Sequence, residues 1–216
     1  MVKFPFGTST GQINHRQPNR AGGPTIRRGE ANQSAETPWT FIRAVEDKFG
    51  PLGWDLAATP DNKKAPLFVG PDRNSLTIDW HMLARPLVEP SNNLCFLNPP
   101  YANITVWAKK CAAEVQLGAR ILLLVPASVG ANWFKDLVWP YADIYSIGRL
   151  VFDNCYNRQG QLITTSYPKD LILAHFDLSL STGKKLLFWA DWKRQEKRSG
   201  PPDQLDAITQ PRRIIK

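Results

Sequence analysis

Cysteine and histidine are both scarce in this chain, with three of each among 216 residues. Cys95, Cys111 and Cys155 are far apart, odd in number and contain no Cys-x-x-Cys pair. A disulfide framework or clustered zinc site is therefore not expected, and the three read as small buried hydrophobes. His15, His81 and His175 show no metal-ligand spacing, so no metal is expected. Long apolar runs are missing as well. Ile121 to Val125 is strand-sized, far short of the roughly 20 residues a membrane span needs. Met1 to Phe6 lacks the shape of a signal peptide. These absences lead us to expect a soluble, cytoplasmic protein without a histidine- or thiol-dependent mechanism. What is present excludes a wholly disordered chain: 43% hydrophobic and 11% aromatic residues, enough for one domain with flanking tails.

The formal net charge is +8, and its placement is uneven. Residues 1–36 hold five basic and two acidic residues, and residues 184–216 hold nine and four. Residues 37–183 hold 13 of each, so the middle is neutral by count. Basic ends on a neutral core suit a protein that contacts a polyanion without being built around it.

Residues 1–35 are polar, and we expect a flexible basic arm there; 36–192 are expected to form the domain, and 193–216 a basic tail. Thr37 reads as a helix cap and Pro38 as the first helical residue, with Phe41, Ile42, Val45 and Phe49 at helical spacing. Trp54 to Ala58 reads as a strand, Asp79 to Ala84 as a short helix and Leu94 to Leu97 as a strand. Ile104 to Leu117 reads as a helix that turns Val106, Trp107, Cys111 and Val115 inward and stops at Gly118. Arg120 to Val125 has the continuous apolar pattern of a central parallel strand. Asn132 to Val138 reads as a helix, with Asp143 to Ile147 and Gly148 to Phe152 as strands around a turn. Asp153 to Lys169 reads as a polar loop, and Leu171 to Phe176 and Lys185 to Trp189 complete the ordered part. The alternation predicts a parallel α/β sheet, whose ligands sit beyond the carboxyl ends of the strands.

Asn98-Pro99-Pro100-Tyr101, directly after a strand, carries the sharpest chemical signal. The prolines fix the backbone and remove donors, leaving the Pro99 carbonyl to accept. The Asn98 side chain offers a second acceptor, and Tyr101 a flat aromatic face. Two acceptors beside a platform describe a pocket for an amino group on a planar ring. Such an amine is a poor nucleophile, because its lone pair is conjugated into the ring. Hydrogen bonds from both of its protons draw the nitrogen toward tetrahedral geometry and free that pair. The partner must then be a strongly electrophilic carbon, and a sulfonium methyl fits.

The chain resembles the S-adenosylmethionine-dependent amino-methyltransferases, specifically the small phage and prophage DNA adenine methyltransferases of the Dam type. The resemblance runs from about Thr37 to Phe176. It rests on Glu36-Thr37-Pro38-Trp39, Gly53 to Ala58, Asn74-Ser75-Leu76 with Asp79-Trp80, Asn98 to Tyr101, Trp107, Leu124-Val125-Pro126 and Gly148 to Phe152. It implies a Rossmann-like α/β methyltransferase fold with a mostly parallel seven-stranded sheet flanked by helices. It implies S-adenosylmethionine as cofactor, held by Thr37, Pro38, Asp55, Ala57 and Asn74, with Asn98, Pro99, Pro100 and Tyr101 as the catalytic set. The implied partner is double-stranded DNA, met by a monomer in a bacterial cell or phage-infected host.

Two features depart from that pattern. Ala57-Ala58-Thr59-Pro60 stands where a glycine-rich cofactor loop is usual, and Asn74-Ser75-Leu76 stands where an acidic residue is usual. No separate recognition domain fits in the gaps at 61–93 and 153–169. Tyr156, Asn157, Arg158 and Gln159 are groove-reading residue types, or an ordinary hairpin loop. Methylation of RNA or of a protein amide, and a non-catalytic nucleic-acid-binding role on a decayed fold, stay open at this point.

Overall fold

The computed structural model describes residues 35–83, 93–155, 161–162, 166–179, 186–189 and 192–193. The arm through residue 34, the tail from residue 194 and the Tyr156 to Gln159 stretch lie outside the described residues. In chain order the elements are α1 (Trp39–Phe49), β1 (Leu52–Asp55), β2 (Leu67–Phe68), a 3-10 turn at Ser75–Thr77 and α2 (Trp80–Leu83). There follow β3 (Leu94–Leu97), a second 3-10 turn at Tyr101–Asn103, α3 (Ile104–Gln116), β4 (Arg120–Pro126) and α4 (Asn132–Leu137). The last strands are β5 (Ala142–Gly148), β6 (Leu171–Phe176) and β7 (Leu186–Phe188).

The strands form one seven-stranded sheet in the order β2-β1-β3-β4-β6-β5-β7. Ile121 to Pro126 of β4 are all buried, so both faces of the sheet need a cover. Leu122 and Leu124 join Phe41, Ile42 and Val45 of α1 in one core, with Leu94, Phe96 and Leu173. Ile121, Leu123 and Val125 join Cys111 and Val115 of α3, Trp80 of α2 and Phe134 of α4 in the other. The period-two alternation of a strand thus divides the apolar residues between two layers of helix.

The sheet is mixed rather than mostly parallel. β2, β1, β3 and β4 run parallel to one another, as do β5 and β7. β6 is antiparallel to both β4 and β5, and these two ladders, at six register pairs each, are the longest. A parallel neighbour needs a crossover, usually a helix. Between β5 and β6 no described residue is helical, so β6 starts at the edge where β5 ends and runs back.

Gly148 to Phe152 is not a second strand. Gly148 takes a left-handed φ of 70° after a register shift from Ser146, and the chain leaves the ladder there. Leu150 and Phe152 are still buried, as irregular segments of the α1-side core. In α3 the buried apolar residues are Ala108, Cys111, Ala112 and Val115, spaced i, i+3, i+4, i+7, with Glu114 buried beside them. Val106, expected inward, is instead 37% exposed.

Candidate active site

Because β2, β1, β3 and β4 are parallel, their carboxyl ends share one edge. From β1 the chain first goes outward to β2, then returns past β1 to β3. The order therefore reverses between β1 and β3, the place where open α/β sheets leave a crevice for ligands. Asp55 ends β1 and Asn98 directly follows β3, on the two sides of that switch point.

Asp55 is 4% exposed, and its carboxylate is occupied locally. One oxygen accepts from the Ala57 amide at 3.3 Å and the other from the Lys64 amide at 2.9 Å. The Leu56 amide bonds the Phe96 carbonyl of β3, and the Ala58 amide bonds the Val69 carbonyl beyond β2. Asn62 closes the loop by accepting from the Thr59 amide at 2.7 Å. Residues 56–64 are therefore held by side-chain and backbone acceptors together. Burial raises the Asp55 carboxyl to about 6, against the lowering effect of the Lys64 and Ala57 amides.

Asn98 is half-buried, and its Nδ2 donates to the Thr37 hydroxyl at 3.1 Å. Pro99 is buried and Pro100 exposed. Pro100, extended at φ −55° and ψ 122°, leads into the 3-10 turn that starts at Tyr101. The half-buried Tyr101 packs against both cores and meets Tyr167 edge-on, with centroids 5.6 Å apart. Its hydroxyl has no hydrogen-bond partner among the described residues. Burial holds that phenol well above its usual range, so it is neutral.

Thr37 does not cap α1. The N-cap is Pro38, and no side chain caps it. An extended residue is needed before the helix, and the proline at 38 sits at that boundary rather than one position inside (ψ 142°). Asn74 is exposed and serves its own turn, its Oδ1 accepting from the Leu76 amide at 3.2 Å. That turn is anchored by the buried Trp80, whose Nε1 donates to the Ser75 carbonyl at 2.9 Å and whose ring stacks on Trp107.

The structure adds a cluster that the sequence pattern does not single out. Glu36 pairs with Asp153 through two backbone hydrogen bonds of 2.8 and 2.9 Å. Its carboxylate accepts from Lys64 Nζ at 3.2 Å and from Asn154 Nδ2 at 2.7 Å. The Lys64 side chain is only 3% exposed, and its ammonium lies 4.7 Å from the centroid of the Trp39 ring. The partner of Lys64 is 28 positions away in the chain, so no local signal marks it. Tyr167 is likewise unmarked inside a polar loop.

The scarce titratable groups sit elsewhere. Cys95 and Cys111 are buried in β3 and α3, and burial pushes both thiols up, Cys95 to about 12. His175 is buried in β6 and lowered to about 4 by burial. His81 Nδ1 lies 2.8 Å from the buried Glu114 of α3, which Lys110 also contacts. His15 lies outside the described residues. No group of three metal-ligating side chains is found among the described residues, nor a helix long and apolar enough to cross a membrane.

A family model described as DNA N-6-adenine-methyltransferase (Dam) matches residues 27–177. A DNA N-6-adenine-methyltransferase of Escherichia phage T1 is 27% identical over 133 residues, 58% of this chain and 51% of that protein. A protein of the same name from Haemophilus phage HP1 (strain HP1c1) is 26% identical over 129 residues, 58% of this chain and 68% of that protein. The chain thus spans about half the length of the phage T1 relative and about two thirds of the HP1 one. The family match runs from ahead of Glu36 to beyond β6 and takes in both sides of the switch point, Asp55 with its loop and Asn98 to Tyr101. On that match the chain belongs to the DNA N-6-adenine-methyltransferase (Dam) family.

Proposed function

We propose that this protein transfers a methyl group from S-adenosylmethionine to the exocyclic N6 amine of adenine in double-stranded DNA. One observation carries the reading. Asn98 stands at the switch point with its amide NH2 taken up by Thr37, which leaves Oδ1 as the end available to a ligand. Pro99 and Pro100 fix the backbone here and bring no amide donors of their own, and the Pro99 carbonyl is the second acceptor. Together they accept the two protons of the target amine, while the Tyr101 ring lies beside them as a stacking surface. Reaching the amine requires the adenine to leave the duplex stack. In this reading the fold is of the Rossmann-like methyltransferase type, with the ligand crevice between β1 and β3.

The residues present fit the cofactor. α1 begins at Pro38 with no capping side chain and no acidic residue in its first turn, which suits a carboxylate at the positive end of the helix. Ala57 and Ala58 are small enough for close approach. Both Asp55 oxygens are taken by amides, so Asp55 contributes by shaping the 56–64 loop. Asn74, which follows β2 in the chain, is assigned a neutral contact to the adenine ring of the cofactor. When bound, the cofactor supplies an electrophilic methyl on a sulfonium. The chain's own part is to orient the amine, accept from its protons and exclude competing acceptors.

The test is transfer of labelled methyl to DNA, RNA and protein in parallel, followed by digestion of the product. N6-methyladenine from DNA, with little label elsewhere, is the expected result. Label confined to RNA or protein would overturn the assignment.

A further inference from the structure

The Thr37 hydroxyl does not cap α1, because the cap position belongs to Pro38. The residue is 3% exposed, and its Oγ1 accepts from Asn98 Nδ2 at 3.1 Å across 61 residues of sequence. A side-chain amide has a donor end and an acceptor end of nearly the same shape, and a hydroxyl can bond either; here Thr37 accepts from Nδ2, which leaves Oδ1 as the outward end. Only the oxygen end can accept from an amine. An amide turned the other way would set N–H against N–H.

The backbone that carries Thr37 is itself held on both sides. On one side Glu36 is fixed by the paired backbone bonds to Asp153, by the buried Lys64 ammonium and by Asn154. On the other side Pro38 has its φ set by its ring, at −67°. The hydroxyl is therefore in place before any substrate arrives.

We infer that Thr37 is a positioning residue: it holds the amide of Asn98 with its nitrogen inward and its oxygen toward the target amine. The inference rests on the reading above, in which Asn98 accepts from that amine. It assigns Thr37 to the orientation of the acceptor rather than to the cofactor. The Glu36–Lys64–Asp55 chain then links the 56–64 loop to the acceptor by contiguous contacts. Preorganised acceptors of this kind need no rearrangement as charge develops on the amine.

The experiment measures single-turnover methyl transfer at saturating cofactor and DNA, with cofactor affinity by calorimetry on the same preparations. Thr37→Val is expected to slow transfer about tenfold, the loss of one oriented hydrogen bond, and to leave cofactor affinity unchanged. Thr37→Ser, which keeps the hydroxyl, is expected to restore most of the rate. In an Asn98→Ala background, adding Thr37→Val is expected to cost nothing more, because the residue acts only through Asn98. Thr37→Ala removes the hydroxyl with fewer atoms and repeats the test should the valine variant not fold.

An additive loss in the Asn98→Ala background overturns the inference, as does weakened cofactor affinity with an unchanged saturated rate. Native protein that moves no methyl to adenine counts against the function proposed above. Native protein that does so, with an unaffected Thr37→Val, counts against the positioning role alone.

Discussion

At Asp55, burial and hydrogen bonding oppose each other, and burial prevails: the carboxyl is raised from 3.8 to about 6. A raised folded value means the group favours the folded state most below about pH 4. That contribution is lost as the pH rises through about 6, by at most about 3 kcal/mol. The fold tolerates this because the ionised form is the one that accepts from both Ala57 and Lys64. We predict that the stability of the native protein relative to Asp55→Asn falls between pH 4 and 6, as read by urea denaturation at each pH. A flat difference across that window contradicts the burial account. Cofactor affinity should move the opposite way, weakening as acid protonates Asp55 and frees one loop amide. At Tyr101 the hydroxyl, without a partner among the described residues, is a cost without a local benefit. Tyr101→Phe is therefore expected to raise stability by about 1 kcal/mol and to keep methyl transfer, because stacking needs only the ring. Loss of transfer in a stable Phe variant would assign the hydroxyl to the reaction. Asn98 to Tyr101 could be read from sequence because four contiguous residues carry the pattern. The Thr37–Asn98 contact could not, since nothing local marks a partner 61 positions away. Asp55 was marked by the resemblance, but a sequence does not show that loop amides occupy both of its oxygens.

Between elements, the Glu36–Asp153 bridge joins the entry of α1 to the segment after β5, and Lys64 ties both to the loop after β1. Three segments distant in sequence thus meet around one buried ammonium. Lys64→Met keeps the stem but leaves the Glu36 carboxylate with Asn154 and solvent. Glu36 is 19% exposed at its side chain, so the cost is discounted to about 1–3 kcal/mol. Hydrogen exchange offers the specific check: the Glu36 and Asp153 amides should exchange faster in Lys64→Met, while those of β4 keep their protection. Uniform acceleration would show global destabilisation rather than a released tether. Among elements, β3 and β6 were legible to the residue because short apolar runs end in clear breaks, at Asn98 and after Phe176. The direction of β6 was not legible, because an all-buried strand reads the same whether parallel or antiparallel to its neighbours. Gly148 reads as the first residue of a second strand but is the last of β5, since its left-handed φ depends on where the ladder ends.

Across the whole molecule, charge and chemistry are separated. Residues 37–183 are neutral by count and contain the switch point, while the basic excess belongs to the ends. We propose that the ends add sequence-independent affinity for DNA. Removing residues 1–30 and 195–216 should flatten the log–log salt dependence of DNA binding by about 0.9 for each phosphate that the protein no longer neutralises. An unchanged slope would remove the ends from the phosphate account. Methylation of a short duplex at saturating concentration is expected to persist, because both sides of the crevice are retained. The claim at the centre is that Asn98 activates the target amine by accepting from it. Single-turnover methyl transfer to DNA by native protein and by Asn98→Ala, with cofactor affinity measured on both, tests it most directly. A rate loss on the order of a hundredfold, about 3 kcal/mol at the transition state, is expected, with cofactor affinity nearly unchanged. A variant with native turnover, or one whose lost activity is matched by lost cofactor binding, would contradict it.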